Sequence, residues 1–245
     1  MRQISPVLSV RGATKRFGGL VAVSAMDFDV IEHQVMGLIG PNGSGKSTTL
    51  NLISGALPLT AGTISLRGAQ ISGLPAQTIT RKGVSRTFQL VRLLPSMSVL
   101  ENVVAGAVFG HRRRWGNDAI GHAENLLERV GLGGKGHLRV GQLTYIDTKR
   151  VELARTLASD PKLLLLDEWL AGLNPTELQL GITLIRSLRD EGRTVILVEH
   201  VMDAIRSLCD RCVVMASGSK IAEGTPSEVL SDAEVIRAYL GDDDV

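Results

Sequence analysis

Several common functions need features that this chain has little of. Its 245 residues hold only two cysteines, Cys209 and Cys212. They form one C-x-x-C with no second pair and no histidine nearby, so the pair reads as core thiols of a reducing compartment rather than a metal or redox site. No apolar run approaches the roughly 20 residues of a membrane span, and the first residues lack the layout of a secretory signal. The formal net charge of +2 gives no strong pull on nucleic acid. The one basic run, Arg112-Arg113-Arg114-Trp115, reads as a solvated loop, with a lipid or nucleic-acid contact as the alternative. Internal repeats and long linkers are also missing. With 44% hydrophobic and 21% charged residues the composition is that of a globular domain, not a disordered one, and the expected compartment is the cytosol.

What the chain does have is a complete phosphate-binding loop, Gly40-Pro-Asn-Gly-Ser-Gly-Lys-Ser-Thr48. The apolar run Val35–Ile39 before it suits a buried parallel strand, and Thr48–Ile53 after it continues as a helix. That strand–loop–helix setting is what gives the motif meaning. Gly40, Gly43 and Gly45 let the backbone turn so that the N–H groups from Asn42 to Thr48 face inward around phosphate oxygens, with the positive end of the helix dipole behind them. Lys46 would reach the terminal phosphates, and the Ser44 and Ser47 hydroxyls line the loop, Ser47 holding Mg²⁺. The residues point to a nucleoside triphosphate.

Residues 7–17, 21–31 and 62–68 carry interrupted β patterns, predicting an antiparallel sheet. Helices are predicted over Ser98–Val108, Asp118–Val130 and Asp147–Ala158 from apolar residues at three- and four-residue steps. A continuous apolar strand, Leu163–Leu166, then ends in Asp167-Glu168, followed by a helix over Pro175–Glu191 and a strand over Thr194–Val198. Such alternation around a helical block implies a parallel α/β core with a helical insertion. A buried strand delivering two carboxylates at its C-terminal edge is a second nucleotide element. Asp167 would hold the Mg²⁺ shell and Glu168 would polarise the attacking water.

In this order the motifs resemble the ATP-binding subunits of ABC transporters over nearly the whole chain. The resemblance implies an α/β fold: a P-loop NTPase with a RecA-like parallel core (1–95 and 160–245), an antiparallel β subdomain and an inserted α-helical subdomain near 96–160. It also implies roles. Phe17 would stack on adenine, Gln89 would touch metal and water, Gly172–Pro175 would cross a dimer interface, and His200 would contact the γ-phosphate. Three of them have a plainer alternative: Phe17 as a core aromatic, Gln89 as a surface amide and His200 as a packed ring. Three strings, Arg86–Leu93, Ala171–Pro175 and Val235–Gly241, resemble the ATPases of uptake systems for branched-chain and related small amino acids or amides.

One motif departs from the family. Its Leu-Ser-Gly-Gly-Gln signature falls on Leu143-Thr144-Tyr145-Ile146-Asp147, the segment that would cap a partner's nucleotide. Thr144 keeps a hydroxyl and Tyr145 is tolerated in the amino-acid-uptake group. Ile146 brings a β-branched side chain where backbone should approach phosphate, and Asp147 brings a carboxylate toward an anion. Trp169 after Glu168 and Val201 after His200 are also unusual. The resemblance implies ATP and Mg²⁺ as cofactors. As partners it implies membrane permease subunits, a second related ATP-binding subunit (a heterodimer over a homodimer) and, indirectly, a solute-binding protein, with no nucleic acid. It places the subunit on the inner face of the cell membrane. The expected function is to energise an importer, segment Leu90–Ser98 facing the permease. The alternatives are a regulatory nucleotide-binding module with little turnover, and a soluble ATPase acting on DNA or ribosomes.

Overall fold

A computed structural model describes residues 6–240. Gly241, the last residue of the third family-like string, lies outside the described residues. The chain divides into two compact units, one formed by residues up to Ala76 together with Leu170 onward, the other by Gln77–Trp169.

The first unit opens with two long strands, β1 (Pro6–Phe17) and β2 (Leu20–Ile31). They pair antiparallel, Leu8 opposite Val30 and Val10 opposite Phe28, with all four side chains buried. After β3 (Val35–Ile39) and α1 (Lys46–Ile53) come β4 (Ala61–Leu66) and β5 (Ala69–Gln70), which complete a four-stranded sheet in the order β2-β1-β4-β5. This is the antiparallel sheet its interrupted patterns predicted. Its inward face is lined by Val10, Ile64 and Leu66, and its other face carries polar residues, as a sheet covered on one side requires.

The second unit begins with α2 (Ala76–Arg81), β6 (Val84–Arg86), α3 (Val99–Phe109), α4 (Gly116–Arg129), α5 (Tyr145–Ala158) and β7 (Leu163–Asp167). β6 runs parallel to β7, with Arg86 opposite Leu165. The helical block expected near 96–160 lies inside this unit. Ser98 starts α3 through a capping box: its side chain accepts from the Glu101 N–H, and the Glu101 carboxylate accepts from the Ser98 N–H. Asn102, fully buried, holds the entering loop by donating to the Leu94 carbonyl and accepting from its N–H.

The rest of the first unit comprises α6 (Pro175–Asp190), β8 (Thr194–Val198), α7 (Met202–Leu208), β9 (Arg211–Ala216), β10 (Ser219–Gly224), α8 (Pro226–Leu230) and α9 (Ala233–Leu240). Here β3 lies between β8 and β9, parallel to both, and β10 returns antiparallel on β9. All five residues of β3 and of β8 are buried, which is why both read as unbroken apolar runs. Cys209 and Cys212 are free thiols packed in this core. A β-carbon at Gly37 would lie 2.8 Å from the Cys212 sulfur, so strand and thiol are mutually fitted. The core-thiol reading is what the packing shows.

Candidate functional site

The phosphate loop connects β3 to α1 in the first unit. Its tight path depends on two glycines. Gly40 has φ +147°, and a β-carbon there would come within 2.0 Å of the Met215 carbonyl oxygen. Gly45, at φ +101°, would place one 2.5 Å from the Ala22 carbonyl. Any side chain would both strain the backbone and collide with it. Gly45 is also the N-cap of α1 and supplies no side-chain cap, so the first turn presents its backbone N–H groups to a ligand instead. Ser44 and Lys46 are buried, Ser47 and Thr48 half-buried, and Asn42 and Gly43 exposed at the rim. The Lys46 ammonium donates to the Gly40 and Pro41 carbonyls, both at 2.8 Å, folding the cation across the loop mouth.

Two further expected residues belong to this unit. Phe17 ends β1 and is 46% exposed, too open for the core-aromatic alternative, with the Lys15 ammonium 5.0 Å from its ring centroid. His200 follows β8 and is half-buried. Beside it, the fully buried Glu199 accepts the Leu170 N–H at 2.6 Å and fixes the start of the segment that leads into Gly172–Pro175.

The second unit gathers the other candidates. Gln89 Nε2 donates to a Glu168 carboxylate oxygen at 2.7 Å, so the expected water-handling amide and the expected base meet directly. Asp167, at the end of β7, donates its backbone N–H to the Thr87 hydroxyl. Its carboxylate accepts from Arg86 at 2.9 Å, in an ion pair with both partners buried. Burial pulls the Arg86 guanidinium below its ordinary pKa, and the Asp167 charge opposes that. The Arg86 and Arg92 guanidinium carbons stand 4.8 and 4.5 Å from the centroid of the Phe88 ring.

Sequence reasoning missed Arg86 and Glu152. Glu152, buried on α5, accepts the Arg92 N–H at 2.9 Å and the Phe88 N–H at 3.3 Å, bracketing the loop that carries Gln89. Burial pushes its carboxyl above the usual range, against the pull of those two bonds. The string Arg86-Thr-Phe-Gln89 was the available signal for Arg86; Glu152 gave none, because its neighbours one turn away on α5, Thr148, Lys149, Arg155 and Thr156, are all polar. Beyond the loop, Leu90 and Leu94 are exposed and do not belong to the core of the helical unit.

The departing signature looks different in place. Thr144 is the N-cap of α5, its hydroxyl accepting the Asp147 N–H at 3.2 Å. Ile146 is helical and is not among the positive-φ residues, so its β-branched side chain puts no strain on the backbone. Asp147 is buried and paired with Lys135 at 2.8 Å and with Arg150 at 3.6 Å. Its charge is compensated within its own unit instead of standing open to an anion. Tyr145 is exposed. Arg112 and Arg114 of the basic run are engaged by Asp160 and Asp118, which suits the solvated-loop reading.

Mg²⁺ takes hard oxygen ligands and usually keeps several waters, needing no cage of three or more carboxylates and imidazoles. No such cage occurs among the described residues. The Ser47 hydroxyl, the Asp167 carboxylate and the Gln89 amide are donors of the right kind. No helix among the described residues is long and apolar enough to cross a membrane.

Comparison with known proteins agrees with these features. The ABC transporter family pattern matches residues 23–171, and that of the branched-chain amino acid ATP-binding cassette transporters matches residues 219–245. The high-affinity branched-chain amino acid transport ATP-binding protein LivG of Salmonella typhimurium is 41% identical over 251 residues, 97% of this chain and 98% of that protein. BraF of Pseudomonas aeruginosa, with the same description, is 41% identical over 97% of this chain and 98% of its own. Among solved structures, an ATP-binding cassette of an ABC transporter in its ADP conformation superposes with a TM-score of 0.88 at 29% identity, covering 97% of this chain and 99% of that one. The chain therefore belongs to the ABC transporter family of ATP-binding proteins, in the branch of the branched-chain amino acid transport cassettes.

Proposed function

We propose that this chain is the ATP-hydrolysing subunit of an importer for branched-chain or related small amino acids or amides. One observation carries the proposal. An intact phosphate loop with a buried lysine sits in a chain that matches branched-chain amino acid transport ATP-binding proteins over 97% of its length. The regulatory alternative, a subunit that binds ATP without turning it over, is not favoured by relatives of this kind.

The family resemblance, together with the chemistry of each side chain, supports the following roles. Phe17 offers an exposed ring for the base. The loop N–H groups and Lys46 compensate the negative charge of the phosphates and hold the terminal one in place. Glu168 accepts a proton from the attacking water, and Gln89, bonded to it, orients both. His200, half-buried after β8, stands where the resemblance implies a contact with the terminal phosphate. Ser47, Asp167 and Gln89 would hold Mg²⁺, which supplies charge neutralisation on the phosphate oxygens.

The same reading extends to partners. Thr144–Asp147 faces a second, related ATP-binding subunit, and a heterodimer spares one of the two nucleotides a cap bearing Ile146. The exposed Leu90 and Leu94, with Arg92 and Leu93, meet a short helix of a permease subunit on the inner face of the membrane. The permease and a solute-binding protein select the solute. Co-purification from membranes tests this assembly: the chain should bring down permease subunits and a related ATPase, and proteoliposomes made from the complex should take up a branched-chain amino acid only with ATP. Isolation of the chain free of membrane proteins, or on ribosomes, would contradict it.

A further inference from the structure

The residue pair at the end of β7, Glu168-Trp169, is tied to the first turns of α5 by two hydrogen bonds running in opposite directions. The Lys149 ammonium donates to the Glu168 carbonyl at 3.2 Å. In return the Trp169 indole N–H donates to the Lys149 carbonyl at 3.1 Å. Lys149 and Trp169 are both buried, at 3% and 5% exposure, so water does not compete for either bond. The Lys149 ammonium also stands 5.5 Å from the centroid of the Tyr145 ring.

What the pair holds is unusual. Glu168 has φ +49°, a left-handed conformation that a residue with a side chain keeps only where its surroundings over-determine it. In that conformation its carboxylate meets the Gln89 amide at 2.7 Å. Return of the backbone to an ordinary φ would re-aim the side chain and break that contact. A tryptophan at this position, unexplained by the nucleotide chemistry, thus gains a reason: its ring fills the core while its N–H closes the clamp.

We infer that Lys149 is a positioning residue for hydrolysis, which together with Trp169 holds Glu168 in its left-handed conformation and so makes the readiness of the base depend on the start of α5. The inference rests on Glu168 acting as the base. Loss of the clamp affects the rate of the chemical step and leaves nucleotide binding alone, because the phosphate loop is not part of it. Lys149→Met keeps the aliphatic stem and removes the donor; Lys149→Arg restores a donor. Trp169→Phe keeps the ring and removes the N–H.

The test measures kcat, ATP affinity and melting temperature for the full chain assembled with its membrane subunits, wild type against these three variants and Glu168→Gln. Lys149→Met is expected to lower kcat about ten- to a hundredfold, the scale on which misplacement of a catalytic group is felt. ATP affinity and melting temperature stay near wild type, Lys149→Arg recovers most of the rate, and Trp169→Phe loses several-fold. Equal rates for wild type and Lys149→Met, or equal losses for Met and Arg, overturn the positioning role. So does a fall in ATP affinity or melting temperature in step with the rate. A slow Glu168→Gln beside a fast Lys149→Met overturns the clamp alone; a wild-type rate for Glu168→Gln overturns the base assignment and the positioning role with it.

Discussion

Arg86 and Asp167, at the ends of two parallel neighbouring strands, form an ion pair at 2.9 Å with side chains only 7% and 2% exposed. Desolvating both charges is expensive, and the pair is tolerable because each compensates the other. Removal of one partner leaves a buried uncompensated charge, which costs about 3–5 kcal/mol. Arg86→Met is therefore expected to lower the unfolding free energy by roughly that amount in urea titration. A midpoint equal to wild type would show that Asp167 does not depend on Arg86.

Lys46 Nζ donates to the Gly40 and Pro41 carbonyls, and in the proposed function it meets the terminal phosphates of ATP. Lys46→Ala removes the side-chain cation of the loop. Charge-assisted hydrogen bonds are worth about 1.5–3 kcal/mol each, so MgATP affinity should fall by at least about tenfold in a fluorescent-nucleotide titration. Unchanged affinity would take Lys46 out of the site.

Glu152 satisfies two backbone donors with two separate oxygens. An amide has one carbonyl oxygen, so Glu152→Gln can satisfy only one of them and turns an N–H donor toward the other. Hydrogen exchange at either Phe88 or Arg92 should quicken in Glu152→Gln, and at both in Glu152→Ala. Wild-type protection at both amides in the alanine variant would mean that the loop is held by other contacts.

The departure at Ile146 is tested by reverting that residue alone. Restoring both Ile146→Gly and Asp147→Gln would strip Lys135 and Arg150 of a buried partner and confuse cap with stability. Ile146→Gly alone should raise the ATPase rate of the isolated chain if the side chain obstructs the cap over a second copy's nucleotide. A brisk wild-type rate that the reversion does not alter would make Ile146 a tolerated variant and remove the reason for preferring a heterodimer.

Much of this was legible without coordinates, for a physical reason. β3, β7 and β8 are buried on both faces and so appear as continuous apolar runs, and α6 announces itself with proline after an asparagine cap. Glu168 and His200 follow two of those runs within two residues, whereas Gln89 follows the short β6. Arg86 was not legible as the partner of Asp167, because 81 residues separate them and only the register of β6 on β7 joins them. Glu152 is hidden in the same way, 60 residues from the Arg92 amide it holds. The short β6, the β9–β10 hairpin and the small helices α7 and α8 carry too few residues for a period to show. Asp147 misled because charge in a sequence carries no sign of who neutralises it.

The most direct test of the account is the steady-state ATPase rate of the chain assembled with its membrane subunits, compared between wild type and Glu168→Gln at saturating MgATP. The amide preserves shape and loses the base, so the variant should bind ATP as wild type does and hydrolyse it about 10²–10⁴-fold more slowly. A variant that turns over at the wild-type rate, or a wild-type assembly with no ATPase activity, would contradict the claim that this chain drives transport by hydrolysis at Glu168.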